Sequence, residues 1–125
     1  MKVKIRESEE NYLETILILQ KRKGNVRSID IANELDFSRP SVSRAIKLIK
    51  EKKYITVEEN GLIKLTKEGK ELAERVYERH QVIGNMLVKL GVSEKTAYED
   101  ACRIEHVISA ETFEKIKEHA EKNIM

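Results

Sequence analysis

Between residues 28 and 65 the chain carries, in order, a short segment of helical apolar spacing, a turn, a capped basic segment and a hairpin signal, and few small folds accept that order. Ser28 opens a helix expected over 29–35, with Ile31, Ala32 and Leu35 inward. Asp36-Phe37-Ser38 reads as a turn. Ser38 is placed to cap the next helix, where Pro40 stands at an early position that has no use for an N–H. That helix should run to about residue 52, with Val42, Ala45, Ile46 and Ile49 as its buried stripe. The stretches 54–57 and 62–65 then read as strands around Asn60-Gly61, a strong turn signal. Upstream, 9–20 has Tyr12, Leu13, Ile16, Leu17 and Leu19 at helical spacing and breaks at Gly24. Helix, helix, helix, hairpin is the order of a winged helix-turn-helix.

Charge says what such a unit meets. Residues 1–65 hold 14 Lys/Arg against 10 Asp/Glu while residues 66–125 hold 10 against 12, so the net charge of +2 hides a basic first half. Arg39, Arg44, Lys47, Lys50, Lys52 and Lys53 face a single acid, Glu51. That density suits a phosphate backbone, and its ordinary alternative is a solvated helix face. On the groove-reading model, Ser38, Arg39, Ser41, Ser43 and Arg44, with Pro40 among them, reach base edges or flanking phosphates. Lys47 and Lys50 anchor to backbone. Glu58 and Glu59 near the hairpin tip argue against deep phosphate contact by the wing.

Thr66 starts a capping signature for a helix through Tyr77, His80, Ile83 and Leu87 to near Gly91. Ser93 is expected to cap a helix bearing Ala97, Ala101, Cys102, Ile104, Glu105 and His106, and Ser109 a last one through Phe113 and Ile116. The chain is therefore expected to be mainly α, with a winged-helix DNA-binding domain over 1–65 and an all-helical domain over 66–125. No linker rich in Pro, Gly or Ser separates them. Two lobes this small have thin cores, which makes a homo-oligomer the default expectation.

Within Cys102-Arg103-Ile104-Glu105-His106, a thiol, a carboxylate and an imidazole at i, i+3 and i+4 share one helix face. Mixed sulfur, oxygen and nitrogen donors suit Fe(II), Zn(II), Co(II) or Ni(II), where an all-oxygen set would suit Mg(II) or Ca(II). Each donor has a plainer alternative: Cys102 as a small buried apolar residue, His80 as a packing or capping group, Asn11 as a surface residue. Glu14 is harder to dismiss, because an acid among Leu13, Ile16 and Leu17 needs a reason. Glu99, one turn before Cys102, is a spare candidate, and His119 among Lys117, Glu118 and Glu121 reads as solvated.

Charged residues make up 37% and aromatics 5%, no apolar run approaches a membrane span, and Met1-Lys2-Val3-Lys4-Ile5-Arg6 is followed by acids instead of an apolar core. With one cysteine there is no disulfide framework. A reducing cytoplasm is the expected location. No His-Glu-x-x-His, nucleophile elbow or glycine-rich phosphate loop is present, so an enzyme is not expected. The competing reading is a metal-free winged-helix regulator that senses oxidants or a small molecule through Cys102.

Taken together, Glu10-Asn11-Tyr12-Leu13-Glu14-Thr15-Ile16, Phe37-Ser38-Arg39-Pro40-Ser41-Val42-Ser43, Leu65-Thr66-Lys67-Glu68-Gly69, Arg79-His80 and the segment from Ala101 to Ser109 resemble the diphtheria toxin repressor family. The resemblance covers essentially all 125 residues. It implies a dimeric, metal-activated repressor that binds a palindromic double-stranded operator and controls metal-ion uptake genes, without the third, SH3-like domain of some iron-responsive members. It also implies a metal site of Glu14, His80, Cys102, Glu105 and His106, with Asn11 as a further candidate. Glu14 and His80 match the family's manganese branch, Cys102 matches its iron branch and Asn11 matches neither. Gly84 and Tyr98 cannot serve in an iron-type ancillary site. Cys102 tilts selection away from Mn(II), so Fe(II) is the expected ion, Mn(II) the alternative, and Zn(II), Co(II), Ni(II) or Cd(II) substitutes in vitro. Asn11 and Glu14 would then close the site from the DNA-binding half.

Overall fold

The computed structural model describes residues 7–122; the basic stretch over 1–6 and residues 123–125 lie outside the described residues. Six helices and one two-stranded sheet follow in the order α1 (Glu7–Lys23), α2 (Ser28–Leu35), α3 (Arg39–Glu51), β1 (Ile55–Val57), β2 (Ile63–Leu65), α4 (Lys67–Lys89), α5 (Glu94–Val107) and α6 (Ala110–Lys122). The chain divides into two compact units, Met1–Glu74 and Arg75–Met125. The division falls within α4.

In the first unit, Leu13, Ile16, Ile31, Val42 and Ile49, all expected inward from helical spacing, are fully buried, while Leu35 and Ala45, expected with them, are half-buried at the edge of the apolar stripe; Ile55 and Ile63 of the strands join the core. α1 is longer than expected at both ends. Lys21, Arg22 and Lys23 complete its last turn, where cations suit the negative end of the helix. α2 opens with the Arg27 N–H donating to Asp30 Oδ2 at 2.8 Å. Lys23 Nζ, 2.6 Å from Asp30 Oδ1, holds that carboxyl below its ordinary range. Asp36 ends α2 in the left-handed region at φ 56°. Ser38 caps α3 as expected, its Oγ accepting the Ser41 N–H at 3.3 Å.

The strands pair antiparallel, Ile55 with Leu65 and Val57 with Ile63. Glu58 N–H donates to Leu62 O at 2.9 Å, so Asn60 and Gly61 fill the last two places of a three-residue loop. Ile63 N–H also donates to Val26 O at 2.8 Å, a third edge that the sequence pattern does not announce.

One basic residue plays a different part from that its neighbours suggest. Lys52 Nζ lies 2.7 Å from Oε1 of Glu9, whose side chain is 5% exposed. The positive charge at the end of α3 is spent inside the unit.

Thr66 Oγ1 accepts the Gly69 N–H at 3.1 Å and donates to Lys53 O at 2.8 Å, fixing the start of α4 against the turn before β1. Gly69 is buried where a β-carbon would overlap the Tyr54 carbonyl. Gly69→Ala should therefore cost about 2–3 kcal/mol, since backbone has to move to admit the methyl. A urea-unfolding midpoint unchanged from wild type would refute this.

In the second unit, Ile83, Ala101 and Phe113 form the core, with Val82, Leu87, Ile104 and Ile108 packed on it. α4 ends in a Schellman pattern: Val92 N–H bonds to Leu87 O at 3.0 Å and Gly91 N–H to Val88 O at 3.0 Å, with Gly91 at φ 108°. Ser93 corrects an expectation. It stands at the N-cap of α5, but its hydroxyl makes no capping bond. Ser93 is exposed, and a helix start in contact with solvent does not require a side-chain cap. Ser109 does cap α6, Oγ accepting the Thr112 N–H at 3.1 Å. Among the described residues no helix is long and apolar enough to cross a membrane.

Candidate metal centre and nucleic-acid interface

α5 buries Ala97, Ala101 and Glu105 along one stripe. The first two are ordinary core residues. Glu105, at 0% exposure, is not, because an ionised carboxylate taken out of water needs compensation. Three groups of the same unit surround it. Oε2 lies 3.0 Å from Nδ1 of His80 on α4, and Oε1 lies 3.4 Å from Nε2 of His106. Cys102, half-buried, completes the set, and one donor atom from each of Cys102, Glu105 and His106 lies within 4.8 Å of the others. The i, i+3, i+4 spacing has done what helix geometry requires of it.

A divalent ion fits this donor set. Glu105 Oε1 accepts no hydrogen bond among the described residues. It faces a second imidazole and a thiol, all able to donate a lone pair once deprotonated. Cys102 makes the set softer than a carboxylate cage.

The turn beside these donors is held by Arg79, which the sequence marks only as part of the Arg79-His80 pair. Arg79 Nη1 donates to the carbonyls of Glu105 at 3.1 Å and Ile108 at 3.2 Å, and its guanidinium carbon stands 5.4 Å from the centre of the Phe113 ring. It holds the last turn of α5, the turn that bears Glu105 and His106. Periodicity marks Arg79 only as a charged helix residue.

The remaining candidates fall as follows. Asn11 and Glu14 belong to the first unit, at i and i+3 of α1; Asn11 is half-buried and Glu14 is 4% exposed. Glu99 and His119 are exposed and stand outside the Cys102 cluster.

At the N-cap of α3 Ser38 is exposed, and along the helix Arg39, Pro40, Ser43, Arg44, Lys47 and Lys50 are exposed and Ser41 is half-buried, while Val42, Ile46 and Ile49 are buried. Ser41 ties the first turn together, its Oγ receiving Ser38 Oγ at 2.9 Å and Arg44 Nη2 at 3.4 Å. Glu58 of the wing pairs with Lys64 at 3.0 Å, which offsets some of its repulsion toward phosphate. Arg27 Nε donates to the Asn60 carbonyl at 3.2 Å, joining the wing tip to the start of α2.

Residues 4–63 match the N-terminal DNA-binding domain of the iron-dependent repressors, and residues 66–123 match their metal-binding and dimerisation domain. The chain belongs to the diphtheria toxin repressor family. Members of this family are metal-dependent transcriptional repressors, and the family places the chain among DNA-binding regulators, not enzymes. A curated family relative, the transcriptional regulator MntR of Escherichia coli O6:H1, is 35% identical over 118 residues, covering 94% of this chain and 76% of the relative. Among solved structures of the family, the manganese regulator SloR superposes with a TM-score of 0.81 at 26% identity, covering 90% of this chain and 53% of that one. IdeR of T. acidophilum gives a TM-score of 0.79 at 26% identity over 97% of this chain. The chain spans 56% of IdeR, so it matches little more than half the length of either solved protein.

Proposed function

We propose that this repressor is activated by Fe(II), with Mn(II) as the alternative ion, and that it controls metal-uptake genes through a palindromic operator bound as a homodimer. The observation that carries this reading is a fully buried carboxylate, Glu105, flanked by His80, Cys102 and His106. His80, Cys102, Glu105 and His106 are the proposed ligands of the helical part, 66–125, and Glu14 with Asn11 those of the DNA-binding part, 1–65. A bound divalent ion supplies the positive charge that the buried carboxylate lacks and a template that fixes its donors. Glu105 would offer it a carboxylate oxygen, Cys102 a thiolate, and His106 and His80 the nitrogens of neutral imidazoles. Arg79 keeps the α5 turn in place meanwhile.

Cys102 supports iron, because manganese prefers harder oxygen donors. His80 and Glu14 support the manganese alternative through the branch they resemble, as does the likeness to SloR, itself a manganese regulator.

At the operator, Arg39, Ser43 and Arg44, with Ser38, Pro40 and Ser41, are proposed to meet bases and flanking phosphates at the start of α3, and Lys47 and Lys50 the backbone. Two such helices read half-sites about 34 Å apart.

The deciding experiment is an anaerobic titration of Fe(II), Mn(II), Co(II) and Zn(II) into metal-stripped protein, followed by the anisotropy of labelled promoter DNA. Binding should require metal in the wild type and be lost in Cys102→Ala and Glu14→Ala. Lys47→Ala should weaken it uniformly and flatten the salt dependence by about one unit of slope. DNA binding that ignores both metal and chelator would overturn the reading and return Cys102 to an oxidant-sensing role.

A further inference from the structure

His80 is joined to α4 by two rotatable bonds, and a half-turn of its ring would exchange Nδ1 for a carbon. In open space that exchange costs little. Here it would put a C–H against Glu105 and lose the 3.0 Å contact between Nδ1 and Oε2. Something has to favour one orientation, and the side chain is still 21% exposed, so burial alone does not impose it.

The Tyr98 ring stands beside it, centroid to centroid 5.4 Å, with the two planes inclined by 41°. Tyr98 itself is fixed at two points. Its hydroxyl donates to Oδ1 of Asn85 on α4. Its ring edge lies over Gly84, where a β-carbon would overlap Cδ1 and Cε1. Gly84 follows His80 by one helical turn, so the missing side chain at 84 opens the space that the phenol ring fills beside the imidazole. Asn85, Tyr98, His80 and Glu105 thus form one connected row between α4 and α5.

We infer that Tyr98 is the positioning residue of His80: seated over Gly84 and anchored by Asn85, it fixes Nδ1 as the nitrogen that faces Glu105. For the metal site proposed above, this decides which ring nitrogen is offered toward the carboxylate's ion. The positioning itself is a property of the metal-free protein and is tested there. A ring held by its neighbours before the ion arrives loses no rotational freedom when it ligates, and outer-shell contacts of this kind commonly govern ligand affinity.

The test compares wild type, Tyr98→Phe, Tyr98→Ala and Gly84→Ala, each labelled with 15N-histidine, with the His80 signals assigned from His80→Gln. Long-range 1H–15N spectra of the metal-free proteins report the tautomer and environment of the ring. Competition with a chromophoric chelator gives Zn(II) affinity, and thermal melts confirm folding. Wild type should show a single His80 tautomer, and Tyr98→Phe should keep it, because the ring remains. Tyr98→Ala should give averaged nitrogen shifts and a Zn(II) affinity lower by about 10-fold. Gly84→Ala should do the same while leaving Tyr98 intact, since its methyl displaces the phenol. Unchanged His80 shifts in folded Tyr98→Ala would overturn the inference. If the shifts move but Zn(II) affinity does not, the positioning stands and His80 leaves the ligand set. A wild type that binds no Zn(II) would end the metal reading, and the metal-free spectra would still decide the role of Tyr98.

Discussion

Glu105→Gln is expected to abolish metal activation and, at the same time, to leave the metal-free protein as stable as wild type or slightly more so. The two signs follow from one fact, the complete burial of that carboxylate. Without an ion, a buried charge is a liability, and an amide of the same shape removes it while keeping an oxygen for the His80 contact. With an ion, the charge is what draws the cation in. Loss of an outer-shell group at a metal site already costs 10–100-fold in affinity, so loss of the central carboxylate should cost more than about 100-fold. Melting curves with and without metal read both effects: wild type should gain stability from added ion, by mass action, and Glu105→Gln should not. Wild-type affinity in the variant would remove Glu105 from the site. Cys102→Glu is the companion change, and it should move the response toward Mn(II) by replacing a soft donor with a hard one.

Arg79→Ala should be among the most destabilising substitutions in the second unit. One guanidinium nitrogen serves two helix-terminal carbonyls, and the same group lies over the Phe113 ring. Hydrogen bonds from a charged donor contribute about 1.5–3 kcal/mol each and a cation–π contact about 0.5–1 kcal/mol. Allowing for their non-additivity, a loss of about 3 kcal/mol is expected, a drop of roughly 15 °C in the melting temperature of a unit this small. Metal affinity measured well below that temperature should fall by about 10–100-fold, because the released turn carries Glu105 and His106. Arg79→Lys, which keeps the charge but reaches with a single point, should recover part of the stability. A melting temperature within a few degrees of wild type in Arg79→Ala would contradict this account.

The parts of this molecule that a reader of the sequence finds are those encoded within a few residues of each other. Ser38 with Pro40 marks the start of α3, Asn60-Gly61 marks the hairpin, and Cys102, Glu105 and His106 declare a common face by spacing alone. What escapes is pairing across distance. Nothing near Lys52 says that its charge meets Glu9, and nothing near Arg79 names the carbonyls of Glu105 and Ile108 as its acceptors. Gly84 is visible in the sequence only as a residue that cannot ligate, and its purpose appears once the Tyr98 ring is seen lying over it. Ser93 shows the opposite failure. The residue type and position suit a cap, but the rotamer in the fold does not make the bond.

The three proposed donors of α5 lie within residues 102–106, and the end of that helix is held from outside by a guanidinium bonded to the carbonyl oxygens of Glu105 and Ile108. Neither of those bonds involves the side chain at position 102. A change of one codon at 102 would therefore exchange sulfur for oxygen on that face while leaving the Arg79 contacts to the α5 turn in place, so the proposed ion preference could change without a change of fold.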